Sequence, residues 1–111
     1  MDKVVRYYKV NNNPNVTDLK AEIYYSLGGM NYFTSRNEQR GYYMSISPVK
    51  RDGVCESYTA FTGLKQLVLP VQRKSNKKMI EAITYFEKHI LDFMRDYFGE
   101  YEVETENYET V

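Results

Sequence analysis

The side chains that most often carry chemistry are scarce in this chain. His89 is the single histidine and Cys55 is the single cysteine. A general base needs a positioned partner and a zinc site needs several ligands, so the composition leaves open a Cys55–His89 dyad but disfavours a metal centre. On helical spacing the neighbours of His89 are Tyr85 and Phe93, which indicates a packed or surface histidine. We therefore expect no catalytic residue, no metal and no cofactor.

Motifs that bind phosphate or activate a nucleophile are also missing. The segment Leu27-Gly28-Gly29-Met30 lacks the further glycines and the lysine of a phosphate-binding loop or a dinucleotide fingerprint. The carboxylates of Asp92 and Asp96 fall on one side of a predicted helix, where a solvated face is the expected role. The sequence therefore predicts a protein that binds a partner and is not an enzyme.

Basic residues, in contrast, are concentrated around the predicted start of that helix. The residues of this cluster are Arg73, Lys74, Lys77 and Lys78. Because the helix dipole is already positive at that end, cations are unfavourable there, and a docking phosphate or carboxylate would relieve the repulsion. Lys50 and Arg51 form a second, weaker basic point. The alternative is a solvated cluster that aids solubility.

Acidic residues are concentrated in the last twelve residues of the chain. They are Glu100, Glu102, Glu104, Glu106 and Glu109. The formal net charge of zero therefore hides a body, residues 1–99, with 15 basic and 10 acidic residues. The acidic segment could fold back on the basic cluster, could imitate nucleic acid through its carboxylates and the interleaved Tyr101 and Tyr108, or could be a solubilising tail. Such a charge run would steer association and make it sensitive to salt.

A chain of 111 residues is expected to form one domain over residues 1–99, followed by the acidic tail over 100–111. Alternating and β-branched segments separated by turn residues predict strands at 4–10, 19–27, 41–48, 54–62 and 64–71. Short turns, including Asp52-Gly53, favour an antiparallel meander with the first strand at an edge. We expect the tail to be either partly disordered or an added edge strand.

Alternation also predicts which strand residues share a face of the sheet. The residues predicted to share a face are Leu19, Ala21, Ile23, Tyr25 and Leu27 in the second strand, Tyr42, Met44 and Ile46 in the third, and Lys65, Leu67, Leu69 and Val71 in the last. The segment between the second and third strands is expected to be a short aromatic patch and a polar loop.

One long C-terminal helix is predicted at about residues 76–98, with Ser75 as N-cap and Gly99 in a left-handed C-cap. Its apolar stripe is Met79, Ile83, Phe86, Ile90, Phe93 and Tyr97, widened by Ile80, Leu91, Met94 and Phe98. A helix of this kind against the meander gives an α+β fold.

The N-terminal residues lack the pattern of a secretory signal, so a cytoplasmic protein is expected. The blocks LGGMNYFT at 27–34, RGYY at 40–43 and SYTAFTG at 57–63 resemble small proteins carried by phages, plasmids and integrative elements of low-GC Gram-positive bacteria. That class includes anti-CRISPR proteins. The resemblance implies a tight stoichiometric binder of a nuclease or of its guide RNA.

These observations favour an inhibitor of anti-CRISPR type, which would bind a nucleic-acid-handling effector such as Cas9 and obstruct its engagement of guide RNA or DNA. The alternative is a small nucleic-acid-binding protein that uses the basic cluster at the helix N-terminus, with exposed tyrosines as stacking platforms.

Overall fold

The computed structural model describes residues 3–31, 35–51 and 64–108. Its elements are β1 Lys3–Asn11, β2 Val16–Ser26, β3 Gly29–Asn31, β4 Arg36–Glu38, β5 Gly41–Lys50, β6 Leu64–Pro70, α1 Asn76–Phe98 and β7 Glu102–Tyr108. A five-stranded antiparallel sheet packs against the C-terminal helix, which confirms the predicted α+β fold. The predicted Asp52-Gly53 turn and the strand at 54–62 lie outside the described residues.

The order of strands in the large sheet is β6-β5-β2-β1-β7, and every pair is antiparallel. Within this sheet β1, β2, β5 and β6 pair in chain order, as the strands of an antiparallel meander do. The predicted meander placed the strand at 54–62 between β5 and β6, whereas β6 pairs directly with β5. The edge position expected for β1 is wrong, because β7 returns after the helix and pairs along it. Of the two outcomes expected for the acidic tail, the added edge strand is therefore the one that the structure shows for Glu102–Tyr108.

One face of the sheet carries the core, as the alternation in β2 predicts. Leu19, Ala21 and Ile23 are fully buried, and the register places them opposite Pro48, Ile46 and Met44 of β5. Leu27 departs from this pattern: β2 ends at Ser26, and the Leu27 side chain is 71% exposed. Gly28 and Gly29, both with positive φ, turn the chain out of the sheet there.

A bulge in β6 changes the predicted face of that strand. Leu67 pairs with Tyr43, whereas Leu69 pairs with Tyr42, so Val68 is the extra residue between them. Because one inserted residue reverses the alternation, Leu69 shares the helix-side face with Tyr42 and Leu67 lies on the opposite face. The prediction that residues 65, 67 and 69 share a face is therefore wrong.

The segment predicted as a loop between β2 and β5 contains a small hairpin. Gly29–Asn31 pairs with Arg36–Glu38 in a second, two-stranded sheet. Strands of three residues are too short for alternation to reveal them, so this pair could not be predicted from periodicity.

The helix has the predicted bounds, and Ser75 is its N-cap: the Ser75 Oγ accepts a hydrogen bond of 3.1 Å from the backbone N–H of Lys78. The left-handed C-cap expected at Gly99 is wrong, since Gly99 has φ −63° and ψ −15°. The backbone instead continues right-handed for one more residue, and the Tyr101 N–H donates to the Phe98 carbonyl at 3.0 Å before β7 begins. Within the described residues, no helix has the length and apolarity that crossing a membrane requires.

The buried stripe of the helix differs in part from the predicted one. The buried side chains are Met79, Ala82, Phe86, Ile90, Met94 and Phe98, whereas Ile80, Leu91 and Tyr97 are more than half exposed. From Ala82 onward the buried residues recur every fourth position. At 100° per residue such a stripe winds slowly around the helix, as contact with a twisted sheet requires.

Tyr8 is the largest polar side chain that the core encloses. It is 2% exposed, and burial raises its pKa to about 12, with the nearby Arg6 lowering the pKa and Glu87 raising it. Arg6 lies on the same face of β1, and its Nη2 donates to the Glu87 carboxylate of the helix at 3.1 Å. This pair ties β1 to the middle of the helix.

The pKa of Tyr8 predicts a loss of stability at alkaline pH. Between the ordinary tyrosine pKa of 10 and about 12 the unfolded chain loses the phenolic proton while the folded chain keeps it, so stability falls as pH rises. Over this pH range the free energy of unfolding of a Tyr8→Phe variant should decrease by about 2 kcal/mol less than that of the parent. Urea unfolding followed by circular dichroism across this range measures it, and parallel pH profiles for variant and parent would contradict the assignment.

Candidate anion-binding cleft and acidic edge strand

An open cleft of about 510 Å³ lies where the end of β2, the residue before β5 and the connection from β6 to α1 meet. Its described lining residues are Tyr25, Leu27, Arg40, Gln72, Arg73 and Lys74. Two members of the predicted basic cluster, Arg73 and Lys74, therefore face the same cavity. The third cation, Arg40, was not among the predicted site residues.

Hydrogen bonds to the backbone fix the geometry of the cleft. The Gln72 carbonyl accepts from the Tyr25 hydroxyl at 2.9 Å and from Arg40 Nη1 at 3.4 Å. Arg40 Nε donates to the Leu27 carbonyl at 3.3 Å. Arg40 thus joins the end of β2 to the segment that leads into the helix, and its guanidinium is held beside Arg73.

Tyr42 of β5 anchors the start of the helix beside this cleft. Its hydroxyl donates to the Ser75 carbonyl at 3.0 Å and accepts from the Ser75 N–H at 3.0 Å. The Tyr42 ring also packs edge-on against Tyr25, with ring centroids 5.2 Å apart. Hydrogen bonds at Gln72 and Ser75 therefore hold both ends of the short segment that contains Arg73 and Lys74.

The remaining members of the basic cluster, Lys77 and Lys78, differ in their contacts. Lys78 forms an ion pair of 3.3 Å with Glu81 on the next turn. Lys77 is exposed in the first turn, and within the part of the chain that the structure describes neither Lys77 nor Arg73 forms an ion pair. The structure brings Arg73 and Lys74 to the cleft and leaves Lys77 and Lys78 on the neighbouring helix surface.

Lys50 and Arg51 do not join this cluster. They lie at the far end of β5 from Gly41, about 30 Å away at 3.3 Å per residue. Arg51 donates from Nε to the Pro14 carbonyl at 2.8 Å and from Nη2 to the Asn13 carbonyl at 3.1 Å. The role of Arg51 in the structure is to hold the turn between β1 and β2.

The acidic segment forms the edge strand β7, beside that same turn. Asn12 Nδ2 donates to Glu102 at 2.6 Å, and Asn11 Nδ2 donates to Glu104 at 3.2 Å. Glu100 and Glu106 are exposed, while Glu109 lies outside the described residues. The expectation that the tail folds back on the basic cluster is wrong for Glu102 and Glu104, because their partners lie at the opposite end of the sheet.

Two apolar side chains fasten this strand to the body. Val103, opposite Val10, and Tyr101 both pack against the core. Burial, and secondarily the charge of Glu100, raises the pKa of the Tyr101 hydroxyl. Alternation therefore turns Val103 inward and leaves the flanking Glu102 and Glu104 exposed.

Another ionic cluster lies on the sheet face away from the helix. Lys65 Nζ forms an ion pair of 2.9 Å with Glu38 and lies 5.3 Å from the centroid of the Tyr43 ring. Burial lowers the pKa of Lys65, but the hydrogen bond to Glu38 and the charges of Glu38 and Tyr24 together exceed this effect, so the net shift is upward. Because Glu38 belongs to β4 and Lys65 to β6, this cluster clamps the small hairpin onto the large sheet.

His89 has the neighbours that helical spacing predicts. Its ring lies 4.5 Å from that of Tyr85 and 6.2 Å from that of Phe93, between centroids. Cys55, its possible catalytic partner, lies outside the described residues. Among residues 3–31, 35–51 and 64–108, no group of three or more His, Cys, Asp and Glu side chains could hold a metal ion.

Comparison with known proteins adds no relative: no family model matches the chain, and neither the curated proteins nor the solved structures contain a match.

The anchoring role of Tyr42 predicts the effect of removing its hydroxyl. Tyr42→Phe leaves the Ser75 N–H and carbonyl without their shared partner and should destabilise the protein by about 2 kcal/mol. Hydrogen exchange at the amides of the first helical turn should accelerate with it. Tyr97→Phe, at a side chain that is 58% exposed, is the control and should change neither measurement. Equal stability of the two variants would show that the anchor has no energetic role.

Proposed function

We propose that this protein is a non-enzymatic, cytoplasmic binding protein of anti-CRISPR type, which inhibits a nucleic-acid-handling effector such as Cas9. The observation that carries the proposal is the acidic edge strand. Glu102, Glu104 and Glu106 are exposed on a strand that is fixed to the sheet, with Glu100 exposed just before it. A groove that binds nucleic acid is positively charged, so this row of carboxylates is complementary to it.

The backbone of β7 supports the same proposal. The register of β7 on β1 shifts between Val103 and Asn107, so the strand is irregular there. The exposed carboxylates of Glu102, Glu104 and Glu106 nevertheless follow one another along this edge as a stretch of negative charge. One side of β7 pairs with β1, and the other side is the edge of the sheet. An effector could therefore contact both the carboxylates and the backbone of this strand.

Inhibition by occupancy requires surface complementarity and no reactive group on the inhibitor. Charges on β7 would accelerate encounter with a basic groove, and the acceleration should weaken with salt because the Debye length is about 8 Å at physiological ionic strength. Once bound in the groove, the strand would block guide RNA or DNA sterically, and its carboxylates would repel the phosphates.

A charge-neutral variant tests the proposal. Glu102→Gln, Glu104→Gln and Glu106→Gln together keep side-chain oxygens that Asn11 and Asn12 can still bond, but remove the negative charge. Inhibition of DNA cleavage by Cas9, measured with inhibitor added before or after guide RNA, should weaken by about tenfold or more. Inhibition should be stronger when the protein is added first.

The matched control removes the same charge from the helix. Glu81→Gln, Asp92→Asn and Asp96→Asn together should inhibit as the parent does. If the parent neither inhibits nor co-purifies with Cas9 or another nucleic-acid-handling effector, the proposed function is wrong. If it inhibits and both triple variants behave alike, β7 is not the contact surface.

A second candidate function, direct binding of nucleic acid, is favoured by the cations at the other end of the molecule. Arg73 and Lys77 are exposed, and Arg73 shares the cleft with Arg40. Fluorescence anisotropy with a single-stranded oligonucleotide should then show salt-dependent binding. Changing the four residues of the basic cluster to Ala should abolish that binding, whereas the triple Gln variant of β7 should bind as the parent does. Binding that survives the four Ala substitutions would exclude this function.

A further inference from the structure

We propose that the cleft beside Arg40 and Arg73 binds a nucleoside monophosphate, either free or as the phosphorylated 5′ end of a single strand. This site goes beyond the proposed inhibitory function, because β7 contributes nothing to it. It also differs from general binding of nucleic acid to the basic cluster, since a terminal phosphate monoester is the group recognised.

The charges of the lining select an anion. Of the described residues that line the cleft, Arg40, Arg73 and Lys74 are cationic, and none is acidic. The acidic side chains that are nearest to the lining in the chain sequence form ion pairs, since Glu22 pairs with Lys20, Glu38 with Lys65 and Glu81 with Lys78. Arg40 and Arg73 carry like charges on one cavity, and an anion between them is attracted to both.

Arg40 is prepared for such a ligand by its own hydrogen bonds. The Leu27 and Gln72 carbonyls accept from its Nε and Nη1, which fixes the plane of the guanidinium. A guanidinium carries five N–H groups, so others remain to donate to an anion. Arg73 is joined to Gln72 in the chain and follows the carbonyl that Arg40 bonds. Both arginines line the same cleft, so their guanidinium groups can act on one phosphate.

The size of the cleft and its uncharged lining indicate what the phosphate carries. A volume of about 510 Å³ is far larger than an inorganic anion needs and is typical of small-molecule sites. Tyr25 and Leu27 supply the apolar part of the lining, and the Leu27 side chain is 71% exposed. A nucleobase would cover this apolar surface while the phosphate binds the arginines.

A phosphate monoester fits these cations better than a carboxylate. It carries about −1.5 to −2 charges at neutral pH, whereas a carboxylate carries a single charge. The cleft is open, so the sugar and the following nucleotides of a strand could leave it into solvent. The same chemistry thus admits a free nucleotide or a strand terminus, and the experiment separates the two.

The test is calorimetric and NMR titration of the full chain with adenosine monophosphate, adenosine and inorganic phosphate. Adenosine monophosphate should bind about tenfold or more tightly than either part alone. The amide signals of residues 27, 40 and 73 should shift on binding. Equal binding of adenosine and its monophosphate, or equal binding of inorganic phosphate, would overturn the proposal.

Charge-matched variants locate the site. Arg73→Gln should weaken binding of adenosine monophosphate by about tenfold. Arg95→Gln, which removes the same charge at the opposite end of the helix, should leave it unchanged. Both side chains are exposed, so neither change threatens the fold. If Arg95→Gln weakens binding as much as Arg73→Gln does, the cleft is not the binding site.

Two further comparisons complete the experiment. A single strand with a 5′ phosphate should bind more tightly than both the mononucleotide and the same strand with a 5′ hydroxyl if the natural ligand is a strand terminus, and less tightly than the mononucleotide if it is a free nucleotide. The triple Gln variant of β7 should bind adenosine monophosphate as the parent does. Failure of the nucleotide site would therefore leave the inhibitory function standing, and the reverse also holds.

Discussion

The contact between the helix and one face of the sheet is the constraint on which both candidate surfaces depend. Phe86, Met79 and Ala82 are almost completely buried against the strands, so the axis of the helix is fixed over the sheet. The Tyr42 hydroxyl then fixes where the helix starts, through its two hydrogen bonds to Ser75. With the start and the axis fixed, the residues before and after the helix have determined positions at opposite ends of the molecule.

That geometry keeps the two charged surfaces apart. The helix has 23 residues and spans about 34 Å at 1.5 Å per residue. This length is several times the Debye length of about 8 Å at physiological salt. The positive potential at the cleft and the negative potential where β7 begins therefore do not neutralise each other, even though the net charge of the chain is zero. Each surface can attract a ligand of opposite charge.

The architecture was largely predictable because its strongest signals are local. The bounds of the helix followed from Ser75 and from apolar residues at helical spacing, and the core face of β2 followed from alternation. Non-local features were missed. The pairing of β7 with β1, the bulge at Val68 and the hairpin of β3 and β4 depend on register or on very short segments, which a periodic pattern does not encode.

The residues of the candidate cleft were likewise only partly predictable from local signals. Arg73 and Lys74 were identified because they are adjacent in the chain and precede a helix. Arg40 was not, although it completes the cationic lining, since its approach to Gln72 results from the pairing of Gly41 with both Ser26 and Pro70. Leu27 was assigned to the same face of the strand as Leu19, Ala21 and Ile23 because alternation continues through it. The glycines that follow end the strand one residue earlier and leave its side chain at the rim of the cleft.

The acidic segment could not be assigned from its sequence, because alternating glutamates are compatible with both a solvated tail and an edge strand. The rest of the chain determines that this segment forms an edge strand. It offers the edge of β1, an apolar partner for Val103 and amide donors at Asn11 and Asn12. Once the strand is ordered within the sheet, a partner that binds it need not supply the free energy to order it. Pairing with β1 thus gives a run of charges a defined position along one edge of the sheet.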